Sequence, residues 1–142
     1  MEINRAIREQ VIQDLQLAEK YSQNIPITRW FRGLPGVVNV ESELPAIAVA
    51  VTEGEVAAGN FSAQSWTGIL TVRIFVKGDV DIDSTLDSYG EMVREKLDIH
   101  YTANRLLTNF NRHSFQYARD EQSPWGTLDL NFTIEYTEEV SE

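Results

Sequence analysis

Residues 113–136 read HSFQYARDEQSPWGTLDLNFTIEY. Leu128, Leu130, Phe132, Ile134 and Tyr136 fall on one side of an extended chain, and Thr127, Asp129, Asn131, Thr133 and Glu135 on the other. A period of two marks a strand with one apolar face and one wet face. His113, Phe115 and Tyr117 give the preceding segment the same alternation. Residues 120–126 between them supply Ser-Pro and Gly, which is turn chemistry. The stretch predicts an antiparallel hairpin with Arg119, Asp120 and Trp125 flanking its tip. A tryptophan there reads either as an interface anchor or as a side chain folded back on its own sheet.

Working outward, residues 66–77 form the strongest strand. Val72, Ile74 and Val76 face one way, and Ile69, Thr71, Arg73 and Phe75 the other. Such a strand runs roughly 40 Å, long enough to project beyond its own core. The preceding EGEVAAGNFSAQS (53–65) has small residues and no period, which predicts a long mobile hairpin loop holding Glu55, Gly59 and Phe61. In 45–52, Ala46, Ala48 and Ala50 line one face and Ile47, Val49 and Val51 the other, as in a central strand. The alanine face would admit a helix closely. Residues 25–32 read as a short strand ended by Gly33-Leu34-Pro35-Gly36, with 37–40 pairing back on it. Helices are expected over 2–21, from the stripe Ile3, Ile7, Val11, Leu15 and Ala18, and over 84–99, from Leu86, Tyr89, Val93 and Leu97. A short helical turn is expected in 102–110. The order predicts one α+β domain over 1–142: a largely antiparallel sheet, two long helices on one face and a closing hairpin.

Composition narrows the function classes. The chain has 12 basic and 22 acidic residues, a formal charge of −10, and no cysteine. Disulfides and thiolate metal sites are excluded. The acidic balance argues against tight nucleic-acid binding. No apolar run is long enough to span a bilayer and the opening residues lack a signal-peptide core, so a cytoplasmic protein is expected. Charge is segregated: 79–98 holds seven acids against Arg94 and Lys96, whereas 101–119 holds Arg105, Arg112 and Arg119 and no acid. The two readings are a solvated mixed surface and complementary faces that meet between copies.

No catalytic kit appears. Asp79, Asp81 and Asp83 open like a calcium loop, but Ser84 and Gly90 stand where glycine and glutamate are required. The plainer reading is acids at a helix start capped by Asp83 or Ser84. His100 and His113 lie in different elements without neighbouring ligands. Nucleophile-elbow and phosphate-loop motifs are absent from the sequence. No cofactor is expected.

Four ordered segments resemble the lambda-type phage minor tail protein U, or tail terminator, family. They are Leu44-Pro45-Ala46 running to Thr52; Trp66 with Leu70, Val72 and Phe75-Val76; Asp83-Ser84-x-Leu86-Asp87; and Tyr117-x-Arg119-Asp120 followed by Trp125, Asp129-Leu130, Ile134 and Tyr136. They span residues 44–138, while 22–43 departs from the pattern. The resemblance implies a non-enzymatic virion tail protein, present in the host cytoplasm during assembly. It implies a homo-oligomeric ring, commonly a hexamer, that stops growth of the tail tube and offers the docking surface for the head or neck. Asp83, Ser84, Asp87 and Arg73 are the expected subunit contacts, and Arg119, Asp120 and Trp125 the expected partner-binding tip. Partners are the tube protein and a head-completion protein, with no membrane and no specific nucleic-acid binding. Competing readings are another neck or tail-completion protein, or a small α+β enzyme with an acidic pocket at 79–87.

Overall fold

A computed structural model describes residues 1–59, 63–78, 80–119 and 124–139. The elements run α1 (Glu2–Glu19), β1 (Arg29–Arg32), α2 (Val40–Glu43), β2 (Ala46–Gly59), β3 (Ala63–Lys77), α3 (Ile82–Lys96), β4 (Asn109–Arg119) and β5 (Trp125–Glu139). The strands form one five-stranded sheet in the order β1-β2-β3-β5-β4, antiparallel except for the β1–β2 pair. This is the expected α+β architecture, including the closing β4–β5 hairpin.

The period of two sets the core. Cross-strand partners Ile47↔Ile74, Val49↔Val72, Ile74↔Leu128 and Val72↔Leu130 stand on one face. They are buried there beneath α1 and α3. Helix α1 presents Ile7, Val11, Ile12 and Leu15 to that face, and α3 presents Leu86, Tyr89 and Val93. Each such side chain contributes about 1.5–3 kcal/mol by leaving water. Gly90 lets α3 sit close to the sheet, since a Cβ there would lie 3.0 Å from Leu128 Cδ2. Polar ties fix the helices laterally: the Tyr136 hydroxyl donates to Asn4 Oδ1 (2.8 Å), Tyr101 to Asp14 Oδ2 (2.7 Å), and Arg32 Nε to Glu9 Oε1 (2.6 Å).

Four expectations need correction. Residues 53–59 and 63–65 are strand rather than loop. β2 and β3 stay paired as far as Gly59↔Gln64, with register shifts between Val51/Glu53 and Val56/Ala58. Two bulges break the period of two, which is why the segment reads as irregular. Glu55 and Gly59 thus lie on a strand; Phe61 lies outside the described residues. Second, 37–40 does not pair back on β1. β1 runs parallel to β2, so the chain between them must cross a face of the sheet. The crossing carries α2, whose cap Asn39 accepts from the Glu41 and Ser42 amides. Third, that crossing, not a long helix, covers the alanine face: Leu44, Ala46, Ala48 and Phe75 pack against Phe31, Val38, Val40 and Trp125. Fourth, residues 103–106 form turns rather than a helix, with positive φ at Ala103, Asn104 and Arg105, and Phe110 already belongs to β4.

Candidate functional site

Two grooves flank the C-terminal half of the sheet, one on each face. On the core face an open groove of about 450 Å³ runs between α3 and the edge strand β4. Helix α3 begins at Ile82 after Asp81, which takes a left-handed backbone (φ 59°). Ser84 Oγ donates to Asp81 Oδ1 at 2.7 Å. The residue at the helix boundary is therefore Asp81, not Asp83 or Ser84 as the sequence suggested. Asp83 and Asp87 sit one turn apart on the exposed surface of α3. Asp87 accepts a short hydrogen bond from the Tyr117 hydroxyl of β4. That bond holds the Tyr117 pKa up to about 12, with smaller contributions from burial and from the negative charges of Asp87 and Asp83.

The β4 side of this groove departs from the sequence reading. A register shift between Arg112 and Ser114 takes His113 out of the alternation. Phe110 alone on β4 reaches the core, stacked on Phe132 at 4.8 Å. Phe115 and Tyr117 oppose Leu130 and Leu128, on the core face, but lie beyond the cover of α3. They remain 68% and 40% exposed and pack edge to face at 5.8 Å. The sequence signal for this was the basic, acid-free stretch 101–119, unusual around a core strand.

The second groove, about 850 Å³, lies on the opposite face and is lined by Val37, Arg73, Phe75, Arg119, Trp125 and Asp129. Arg73 and Asp129 are cross-strand partners. Arg73 Nε donates to Asp129 Oδ1 at 2.7 Å and its terminal nitrogen to Oδ2 at 2.9 Å. This hydrogen bond raises the Arg73 pKa, against the opposing effect of partial burial. Beside the pair, Thr71 donates to Asn131 Oδ1 (2.7 Å), and the Asn131 amide donates to Ser114 Oγ (3.0 Å), forming a polar ladder across β3, β5 and β4. Trp125 opens β5, half-buried, with its ring stacked over Phe75 at 6.5 Å and 9°. Arg119 lies opposite Gly126 at the end of β4. Asp120 and Asp79 lie outside the described residues.

The structure thus divides the residues singled out from sequence. Asp83 and Asp87 gather with Tyr117 on the core face. Arg73, Arg119 and Trp125 gather on the other. Glu55 and Gly59 stand on the exposed arm of β2, far along the strand from both. Among the described residues, no three His, Asp or Glu side chains converge as a metal ion would require.

Comparison with known proteins gives a consistent picture. The family model of the phage minor tail protein U matches residues 2–136. The tail tube terminator protein of Escherichia phage N15 is 31% identical over 109 residues, covering 75% of this chain and 81% of the relative. The tail tube terminator protein of Escherichia phage lambda is 28% identical over 109 residues, covering 75% and 82%. Among solved structures, a chain from the virion of a native gene transfer agent particle superposes with a TM-score of 0.59 at 13% identity, over 92% of this chain and 94% of that one. This last likeness is one of fold.

Proposed function

The chain belongs to the phage minor tail protein U family, and from that premise we propose that it is the structural protein that terminates a phage tail tube and resides in the virion tail. The observation that carries this reading is the family match over residues 2–136. Two relatives that are tail tube terminators support it. The role is structural: it asks for surfaces that meet a tail tube and head components rather than for a catalytic constellation.

The finer reading is a closed ring of copies, six in number by family resemblance alone, seated on the last ring of the tube. Six copies would carry a formal charge of six times −10. A strongly negative channel lets DNA pass without adhering. In this reading Asp83, Ser84 and Asp87 at the head of α3 serve subunit contacts, and Arg73 supports the sheet face behind them through Asp129. Arg119, Asp120 and Trp125 address a neck or head-completion partner, while Glu55 and Gly59 on the β2 arm, together with Phe61, address the tube or a neighbour.

The test is length control. Tail tubes assembled without the protein are expected to grow over-long, and the purified protein, added during assembly, is expected to give tubes of uniform length with a ring at one end by electron microscopy. A protein that stays monomeric on native mass spectrometry, leaves tube ends bare and does not limit length would overturn the reading.

A further inference from the structure

The sheet has two open edges of opposite charge. β4 is the last strand in the sheet order, so one side of residues 109–119 faces no strand among the described residues. At the other end, β1 pairs only with residues 46–49 of β2. Residues 50–59 of β2 therefore have a second open edge, matched in length to the first. Open edges are templates for strand addition unless something covers them.

Their chemistry differs. The β2 arm is exposed from Thr52 to Gly59, carries Glu53 and Glu55, and has no base. The β4 edge carries Arg112, His113 and Arg119 and has no acid. Neither Glu53 and Glu55 nor Arg112 and Arg119 make an ion pair among the described residues. Pairing β4 with β4 would oppose arginines, and pairing the arm with another arm would oppose glutamates; like charges across strands are unfavourable. The combination that avoids both is the arm of one copy against β4 of the next. That contact uses two different patches, so it is head-to-tail and propagates into a ring when the rotation closes.

Direction and face agree. β2 is antiparallel to β3, β3 to β5, and β5 to β4, so β2 and β4 run in opposite directions. A neighbour's β4 continuing the sheet beyond β2 would therefore lie antiparallel to it. Val56 is 51% exposed and opposes Trp66, a residue packed against the core on the helix-covered face. Phe115 and Tyr117 are exposed on that same face. Edge pairing brings these three apolar groups onto one continuous surface. We propose that neighbouring copies join through their sheets, the β2 arm of one adding as an antiparallel strand to β4 of the next, with Val56 laid against Phe115 and Tyr117.

The inference rests on the ring reading, and the test separates the two. The chain has no cysteine, so introduced pairs are unambiguous. Within one copy β2 and β4 are three strand spacings apart, roughly 14 Å, too far for an intramolecular disulfide. Nine double variants combine cysteine at Glu53, Glu55 or Val56 with cysteine at Asn111, Arg112 or Phe115, all exposed positions. Leu17→Cys with Phe115→Cys is the control. Each is assembled on tail tubes, oxidised and run on a non-reducing gel, with rings counted by electron microscopy. The expected result is a reducible ladder up to the full ring for at least one pair, at roughly tenfold or more the control yield, since held neighbours react at high effective concentration. Rings by microscopy with all nine pairs at the control level would overturn edge pairing and leave the ring reading standing. Absence of rings for the wild-type protein on tubes would overturn the ring reading and this inference together.

Discussion

Replacing Arg73 with alanine separates a role in folding from a role in assembly. In the folded chain Arg73 is bidentate to Asp129, at 2.7 and 2.9 Å, with side-chain exposures of 31% and 16%. Exposed ion pairs contribute about 0–1 kcal/mol, whereas breaking a fully buried one costs about 3–5 kcal/mol. This pair stands between those limits, and Arg73→Ala leaves Asp129 shielded from water without its two donors. The expected loss is about 2 kcal/mol, a drop of roughly 6–10 °C in melting temperature for a domain of this size. Urea unfolding of Arg73→Ala, Asp129→Ala and the double variant should give a coupling energy of about 1–2 kcal/mol, because either single change already removes the interaction. Coupling near zero with each single variant within about 0.5 kcal/mol of wild type would refute the account. Should Arg73→Ala melt normally yet form no rings, its role is between copies rather than within one.

Four further outcomes are expected. Tyr117 should ionise near pH 12 in an ultraviolet titration, and Asp87→Asn should return it toward about 10; because the folded pKa is raised, its contribution to stability is complete below about pH 10 and is lost as pH rises through 12. Gly68→Ala should destabilise by about 1–3 kcal/mol in denaturant unfolding, since its Cβ would lie 2.8 Å from the Glu53 carbonyl oxygen at the first bulge. Trp125→Ala should lower stability by about 2 kcal/mol, because the ring stacks on Phe75; a variant with an unchanged melting temperature would mean that the indole adds nothing to its own sheet. Amide exchange should be faster along 53–59 than along 46–50 in the free protein and slow on assembly, since the arm is exposed and the inner segment is buried on both faces.

Legibility in the sequence followed the regularity of each element. β5 was readable because residues 127–136 keep one alternation, and both long helices because their stripes keep a 3.6-residue repeat. The β2 arm was not, because two bulges shift its register and its exposed small residues carry no hydrophobic signal. β4 was half legible: the alternation of Phe115 and Tyr117 gave the strand, but exposure depends on how far α3 reaches across the sheet, which no local pattern encodes. The same limit applies to Asp83 and Asp87. Their motif located a helix start, yet the hydroxyl that meets Asp87 comes from a strand thirty residues away. Trp125 had two readings from sequence. Its stacking on Phe75 shows why a turn-proximal tryptophan is no guide by itself: the crossing segment that builds its surroundings lies near residue 38, far from it in sequence.

The order of strands also bears on how the chain is made. β3, at the centre of the sheet, has β2 as one neighbour, available as soon as the hairpin leaves the ribosome. Its other neighbour is β5, and the separation runs from 48 residues at Lys77↔Trp125 to 76 at Ala63↔Glu139. Until β5 emerges, the β2–β3 ribbon shows Ile47, Val49, Val72 and Ile74 to the cytosol on one face. α1, synthesised before the sheet, has only part of its final seat, because the Tyr136 hydroxyl that fixes Asn4 is 132 residues downstream. Contacts at such separation are slow to form. Completion of the sheet thus waits for β5, and a nascent chain stalled before residue 125 would present a sticky half-sheet to chaperones, proteases or other unfinished copies.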